Sequence, residues 1–190
     1  MRSRLKISLY LIPFAVCAGL MSERSFSSPQ RAVQVAPSFS FDTAWMHVPE
    51  QWVLGTISGV HVDRHDNVWI IHRPRTIPEA RRAQAAPPVL EFGLGGRFIQ
   101  AWGGKGAGYD WPANEHSIVV DNKDRVWVTG SSRVAGAADQ MILTFDLKGR
   151  FLRQIGAANA SKGDLDTSNV NAPADLFIDL PRHELYVADG

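Results

Sequence analysis

The chain has 190 residues, of which 21% are charged, and a formal net charge of +1. This length suits one domain or part of one, and the near-neutral charge excludes the basic composition of a typical nucleic-acid-binding protein. A single cysteine also excludes a fold held together by disulfides.

The N-terminus is predicted to be a secretory signal peptide over residues 1–28. Three basic residues precede a nearly continuous apolar run, Ile7–Met21, which is the pattern of such a signal. A membrane-spanning helix needs about 20 apolar residues, and this run is shorter. Cleavage fits after Ala18 or near Ser27, and both remove Cys17. We therefore expect a secreted or periplasmic protein with no membrane attachment beyond the signal peptide.

The next segments are predicted to be a linker and an outer strand. Residues 29–38 are polar and contain prolines, which is typical of a linker. Phe39–Leu54 carries Phe41, Trp45 and Trp52. These aromatic residues predict a strand that completes the last repeat of the fold described below.

A hairpin phrase occurs three times from residue 56 onward. The copies are TISGVHVDRHDNVWIIHR at 56–73, NEHSIVVDNKDRVWVTG at 114–130 and NAPADLFIDLPRHELYVADG at 171–190. Each contains two apolar, β-branched or aromatic runs around a polar turn, which predicts two paired strands. The aspartates that end the first strand, Asp63, Asp121 and Asp179, follow one another at intervals of 58 residues.

A second phrase lies between the copies and adds two strands to each repeat. VLEFGLGGRFIQAWG at 89–103 recurs as ILTFDLKGRFLRQIG at 142–156, with a spacing of 53 residues. Four short strands repeated at this period predict an all-β fold, specifically a β-propeller. Blade one covers 56–103, blade two covers 114–156, and blade three begins at 172, all within a propeller domain of residues 39–190.

The number of repeats predicts that the chain is an N-terminal fragment with about two and a half blades, since propellers typically have about 4–8. An open array would leave a long unpaired strand edge, which favours aggregation. A small sandwich built from two and a half repeats is the alternative.

The strand order predicts which face carries the function. Neighbouring strands are antiparallel, so every short turn lies at one edge of the sheets, the bottom face, and every long connection lies at the other edge, the top face. Long connections on a rigid scaffold are the usual place for binding sites. We therefore expect a small-molecule or peptide ligand on the top face.

Two residues on the top face depart from their own repeat. His116 opens an inner strand where the other copies have Ser58 and Ala174, and Arg73 ends a second strand where the next copy has Ser131. Because the repeat does not impose these side chains, both are candidate site residues. Structural roles are the alternatives: a rim histidine hydrogen-bonded to a loop, and an arginine in a loop-bracing ion pair.

The remaining histidines and basic residues favour structural interpretations. His61 occupies the place of Val119 and Phe177, which predicts a packed strand residue. The arginine cluster between Arg73 and Arg82 is typical of a solvated loop.

The repeat phrases resemble NHL repeats, and their order resembles the six-bladed propeller of peptidyl-α-hydroxyglycine α-amidating lyase and its bacterial relatives. The resemblance covers residues 39–190. Ser-Gly-Val at 58–60, Asp63 and the pair His72-Arg73 resemble the family's first blade, and His116 falls where the family has Pro-His-Gly-Leu.

The resemblance implies a zinc ion held by three histidines, with His116 as the first and the other two after Gly190. It also implies a calcium ion bound partly by the main-chain carbonyls of Val60 and Ile118. Arg73 would engage the substrate, and a tyrosine base would directly follow Gly190. The implied reaction breaks a carbinolamide C–N bond and releases a peptide amide and glyoxylate.

Two phrases depart from the family's pattern and keep other functions open. Glu115 and Ser117 flank His116 where the family has proline and glycine, and Pro74-Arg75-Thr76 replaces Gly-Asp-His. The loop around the site is therefore rebuilt. The alternatives to a zinc-dependent lyase are a non-enzymatic binding or scaffold propeller and a calcium-dependent lactonase-like propeller.

Overall fold

A computed structural model describes residues 37–190, and residues 41–190 form one compact unit. Its regular structure is almost entirely strand, which confirms the all-β class. Two short 3₁₀ helices, Pro74–Thr76 and Glu79–Gln84, lie in one long connection. No helix in this part of the chain is long and apolar enough to cross a membrane. The predicted signal peptide and most of the predicted linker lie outside the described residues.

The described residues form ten strands in three antiparallel sheets. The first sheet contains, in spatial order, β1 (Thr56–Val62), β2 (Val68–Arg73), β3 (Val89–Phe92) and β4 (Phe98–Trp102). The second sheet contains β5 (Glu115–Val120), β6 (Arg125–Gly130), β7 (Met141–Asp146) and β8 (Phe151–Gly156). The third sheet is a hairpin of β9 (Asp175–Asp179) and β10 (Glu184–Ala188). Each of the two complete sequence repeats thus forms a four-stranded sheet, as the sequence predicts.

Strand register repeats with the sequence period in the first two sheets, where His61 pairs with Trp69 and Val119 with Trp127. In the third sheet Phe177 pairs with Tyr186, one residue beyond the position that matches Trp127. Matching turn residues also share a left-handed backbone, with φ of 61° at Asp66 and 58° at Asp124. Aspartate tolerates this conformation better than most residues, which suits it to these tight turns.

One aspartate closes each of the first two hairpins. The carboxylate of Asp63 accepts a hydrogen bond from Trp69 Nε1 at 2.8 Å, and that of Asp121 accepts one from Trp127 Nε1 at 2.9 Å. Each carboxylate also accepts two backbone N–H groups of its turn. Burial alone would raise the pKa of Asp121, but bonds from Arg125, Trp127 and the turn amides outweigh it and lower that pKa.

The sheets pack face to face in sequence order. Trp69, Ile71 and Val89 of the first sheet share a buried cluster with Ile118, Val128 and Leu143 of the second. Trp127 and Ile142 of the second sheet pack against Leu176 of the third. Within residues 37–190 the sheets do not close into a ring, so these contacts establish stacked antiparallel sheets and leave the propeller as a prediction.

The segment before β1 differs from the predicted outer strand. Its apolar side chains, Trp45, Met46, Val48, Trp52 and Leu54, pack on Ile70, Leu90 and Phe92 of the first sheet. It forms only two isolated bridges, His47 to Arg97 and Val53 to Ala85. Covering this apolar sheet face removes apolar side chains of both the segment and the sheet from water, which stabilises the position.

Candidate functional site: the inner-strand groove

A groove of about 550 Å³ runs along β1, β5 and β9, the first strand of each sheet. We call it the inner-strand groove. Its lining includes Ser58, Val60, His61, His116, Ser117, Ile118, Asp175 and Phe177. Three of the predicted site residues, His116, Val60 and Ile118, therefore line one groove.

His116 has a fixed ring orientation. Its Nδ1 lies 2.8 Å from the carbonyl oxygen of Ala174, which precedes β9. A carbonyl only accepts, so Nδ1 carries the proton and, in the neutral ring, Nε2 has a free lone pair. Metal-binding histidines are usually oriented by such a bond from their other nitrogen. A rim histidine that only bonds to a loop would make the same Nδ1 bond. Whether Nε2 binds a metal therefore distinguishes a zinc ligand from a rim histidine.

A second cross-link between β5 and β9 lies beside the first. Ser117 Oγ donates to Asp175 Oδ1 at 2.6 Å, one residue along both strands from the His116–Ala174 bond. The sequence interpretation missed Asp175. The sequence did contain an indication of this contact, because Ser117 stands where the resembled family has glycine. A serine hydroxyl can bond to the next inner strand, and glycine has no side chain to do so.

His61 lines the groove, which the prediction of a packed strand residue did not anticipate. It is half-buried, and burial lowers the pKa of its imidazole, with the Val120 carbonyl partly offsetting that effect. The rule that selected His116 also applies here, since the repeat places Val119 and Phe177 at the matching positions.

Arg73 lies beside the groove and is not among its lining residues. Its Nε donates to the carbonyl oxygen of Glu115 at 2.7 Å, which is the residue just before His116. The predicted loop-bracing ion pair is absent within residues 37–190, because the partner is a main-chain carbonyl. Arg73 thus ties the end of β2 in the first sheet to the start of β5 in the second.

Two buried acidic residues hold the connections next to His116. Asp139, 1% exposed, accepts the backbone N–H groups of Ala113, Asn114 and Ser132 at 2.7–3.0 Å. Glu115 accepts Trp111 Nε1 at 3.0 Å, and burial raises the pKa of its carboxyl group. Both long connections at this point of the top face are therefore fixed by buried hydrogen bonds.

Main-chain groups of β1 and β5 approach each other closely at Gly59. A Cβ atom there would lie 3.0 Å from His116 O and 3.1 Å from Ile118 N. The neighbouring residues Val60 and Ile118, predicted to bind calcium through carbonyls, lie on these two strands and line the groove. Glycine allows this approach without displacing the main chain of β5, which a Cβ atom at position 59 would press against.

The described part of the chain brings together no group of three histidine, cysteine, aspartate or glutamate side chains that could hold a metal. From the predicted zinc ligands it supplies His116 alone. A tetrahedral catalytic zinc site takes three protein ligands, so His116 could provide one of them.

No protein-family model matches the chain, and a search of characterised proteins finds no significant match.

Proposed function

We propose that the chain belongs to an exported NHL-type β-propeller that binds its ligand in the inner-strand groove, with zinc-dependent lyase chemistry similar to that of peptidyl-α-hydroxyglycine α-amidating lyase. The repeated four-stranded sheets, stacked in chain order with their first strands along one groove, support the propeller. The observation that carries the functional proposal is the His116 ring, held through Nδ1 with Nε2 available.

The residues of this chain have separate roles in the proposed site. His116 contributes one zinc ligand, and Ala174 fixes its tautomer. A bound zinc ion would supply a Lewis acid for the substrate's oxygen atoms. Arg73 uses Nε for the Glu115 carbonyl, so its Nη groups are the ones that would hold an anionic part of the substrate. The carbonyls of Val60 and Ile118 would hold calcium.

A binding propeller without catalysis is the second candidate. It is favoured by the position of Arg73, which braces β5 and does not line the groove. In this alternative the Nδ1 bond of His116 only links β5 to the residue before β9, and Nε2 binds no metal.

Zinc binding by two histidine variants separates these candidates. We expect the full-length protein to bind about one equivalent of zinc, measured by titration calorimetry. His116→Ala should weaken zinc binding by at least about tenfold, since even residues that only orient a ligand have effects of that size. His61→Ala is the matched control, because His61 lines the same groove. Its zinc affinity should stay unchanged, with thermal unfolding confirming that both variants fold.

Retention of zinc by His116→Ala, or equal loss in both variants, would show that the metal site is assigned wrongly. Lyase activity is measured separately, as glyoxylate released from a peptidyl-α-hydroxyglycine. Zinc binding at His116 without glyoxylate release would support the metal site and overturn the proposed lyase chemistry.

A further inference from the structure

A second groove, of about 390 Å³, lies on the top face where the long connections of the first two sheets meet. Arg75 comes from the connection after β2, and Arg133 from the connection after β6. Asn114 and Ser131 also line this groove. The two arginines are 58 residues apart, so they occupy matching places in successive repeats. We call this surface the arginine groove.

Arg75 is held in place by a fixed neighbour. Its Nη2 donates to Asn114 Oδ1. The Asn114 amide also donates to Ser131 Oγ at 3.0 Å, and its backbone N–H donates to Asp139 at 3.0 Å. The carbonyl of Asn114 accepts Ser131 N at 3.0 Å. A guanidinium group that is already hydrogen-bonded to such a fixed residue loses less side-chain freedom on binding a ligand than a free arginine would.

The charge of the arginine groove is not neutralised by its own lining. No acidic side chain lines it, and within residues 37–190 neither Arg75 nor Arg133 forms an ion pair. Four other arginines, Arg64, Arg125, Arg150 and Arg182, each pair with an aspartate at the bottom face. The nearby acids Glu115 and Asp139 are buried and do not line the groove, although the charge of Arg75 partly offsets the rise in the pKa of Glu115 that burial causes.

We propose that the arginine groove binds an oxyanion group, a phosphate or a carboxylate, between Arg75 and Arg133. Guanidinium groups bind both anions through paired N–H donors, and two of them at one concave surface can contact opposite sides of the group. The hydroxyl of Ser131 adds a neutral donor. This site is separate from His116 and does not depend on the proposed lyase.

Inorganic phosphate and acetate are the probes. Each is titrated into the chain in a phosphate-free buffer at low ionic strength, with binding followed by calorimetry. We expect Arg133→Ala and Arg75→Gln each to weaken anion binding by about tenfold or more, the usual effect of losing a hydrogen bond to a charged group. Glutamine at position 75 can still donate to Asn114, so the loop structure is kept. The probe that binds more tightly identifies the anion class.

Arg81→Ala is the matched control, because Arg81 is an exposed arginine of the same connection that does not line the groove. It removes the same charge and should leave the affinity nearly unchanged. Equal weakening in all three variants would show diffuse attraction to the surface and overturn the proposal. So would unchanged affinity in Arg133→Ala, or a wild-type chain that binds neither probe.

Discussion

The first and second sheets have the same strand order and hairpin register but different polar residues at matching places. Glu91 on β3 is buried and accepts Asn67 Nδ2 at 2.9 Å as well as Gln100 Nε2. Its counterpart on β7 is Thr144, also buried, whose hydroxyl has no hydrogen-bond partner among the described residues. The apolar residues and turns therefore define the repeat, while the polar positions vary within it.

The variation has a structural consequence. Gln100 also donates to the carbonyl oxygen of Leu147 at 2.8 Å, so the polar cluster around Glu91 links the first sheet to a turn of the second. Burial raises the pKa of Glu91, and the bonds from Gln100 and Asn67 partly oppose that effect. Thr144 makes no such link. Identical backbone positions thus serve an intersheet contact in one sheet and simple packing in the other.

Removing the matched tryptophans should have the largest effect. Trp69 is fully buried between two four-stranded sheets, whereas Trp127 is 6% exposed and faces the two-stranded third sheet. We expect Trp69→Ala to lower the free energy of unfolding by about 4 kcal/mol and Trp127→Ala by about 3 kcal/mol. Denaturant unfolding measures both. A larger loss for Trp127→Ala would contradict the difference between the two interfaces.

Exchanging the polar residues on the third strands should give effects of opposite sign. Glu91→Thr leaves the Asn67 amide without its acceptor, removes one of the two acceptors of Gln100 Nε2, and should cost about 2 kcal/mol. Thr144→Val removes an unpaired buried hydroxyl at nearly constant volume and should gain about 1 kcal/mol. Unfolding midpoints report both changes. Stability lost in Thr144→Val would mean that its hydroxyl has a partner after all.

The smallest expected effect depends on pH and concerns the first sheet only. His72 is fully buried, with Nδ1 accepting Gly55 N at 3.1 Å and Nε2 lying 3.1 Å from Pro87 O. The matching residue in the second sheet is Gly130. Burial lowers the pKa of His72, and protonation would place a donor against the Gly55 N–H. The stabilising contribution of neutral His72 is therefore complete above a pH of about 6.5 and is lost as the pH falls below that value.

The His72→Gln variant tests this assignment. It should flatten the decline in unfolding free energy just below pH of about 6.5, relative to the unmodified chain. His61, whose pKa is lowered in the same direction, remains in both proteins and cancels from the difference. An unchanged pH profile in the variant would assign the decline to another group.

The repeat made the sheets predictable from sequence. The apolar runs of each repeat predicted short polar turns between paired strands, and the structure has hydrogen-bonded turns at 63–67, 93–97, 121–125 and 146–150. The position of Trp45–Leu54 was not predictable, because apolar residues alone do not distinguish a segment that pairs at a sheet edge from one that covers a sheet face.

The site was predicted less completely. Departure from the repeat selected His116, which the structure places in the groove, and Arg73, which it places beside the groove. The same criterion, applied to every position, would have added His61 and Asp175. The Ser117–Asp175 bond joins residues that are 58 positions apart, so it depends on how closely the sheets pack, which the sequence of one sheet does not specify.

Gly59, Ser117 and Asp175 occupy one matching position in the three inner strands, and their side chains act as spacers of increasing length. At Gly59 an added Cβ atom would lie 3.0 Å from His116 O, so β1 approaches β5 closely, whereas a hydroxyl and a carboxylate lie between β5 and β9. Side-chain size at a single position can therefore set the width of the groove on each side of His116. A substitution at this one position could therefore reshape the groove while the strand pairing, the turns and the buried core stay as they are.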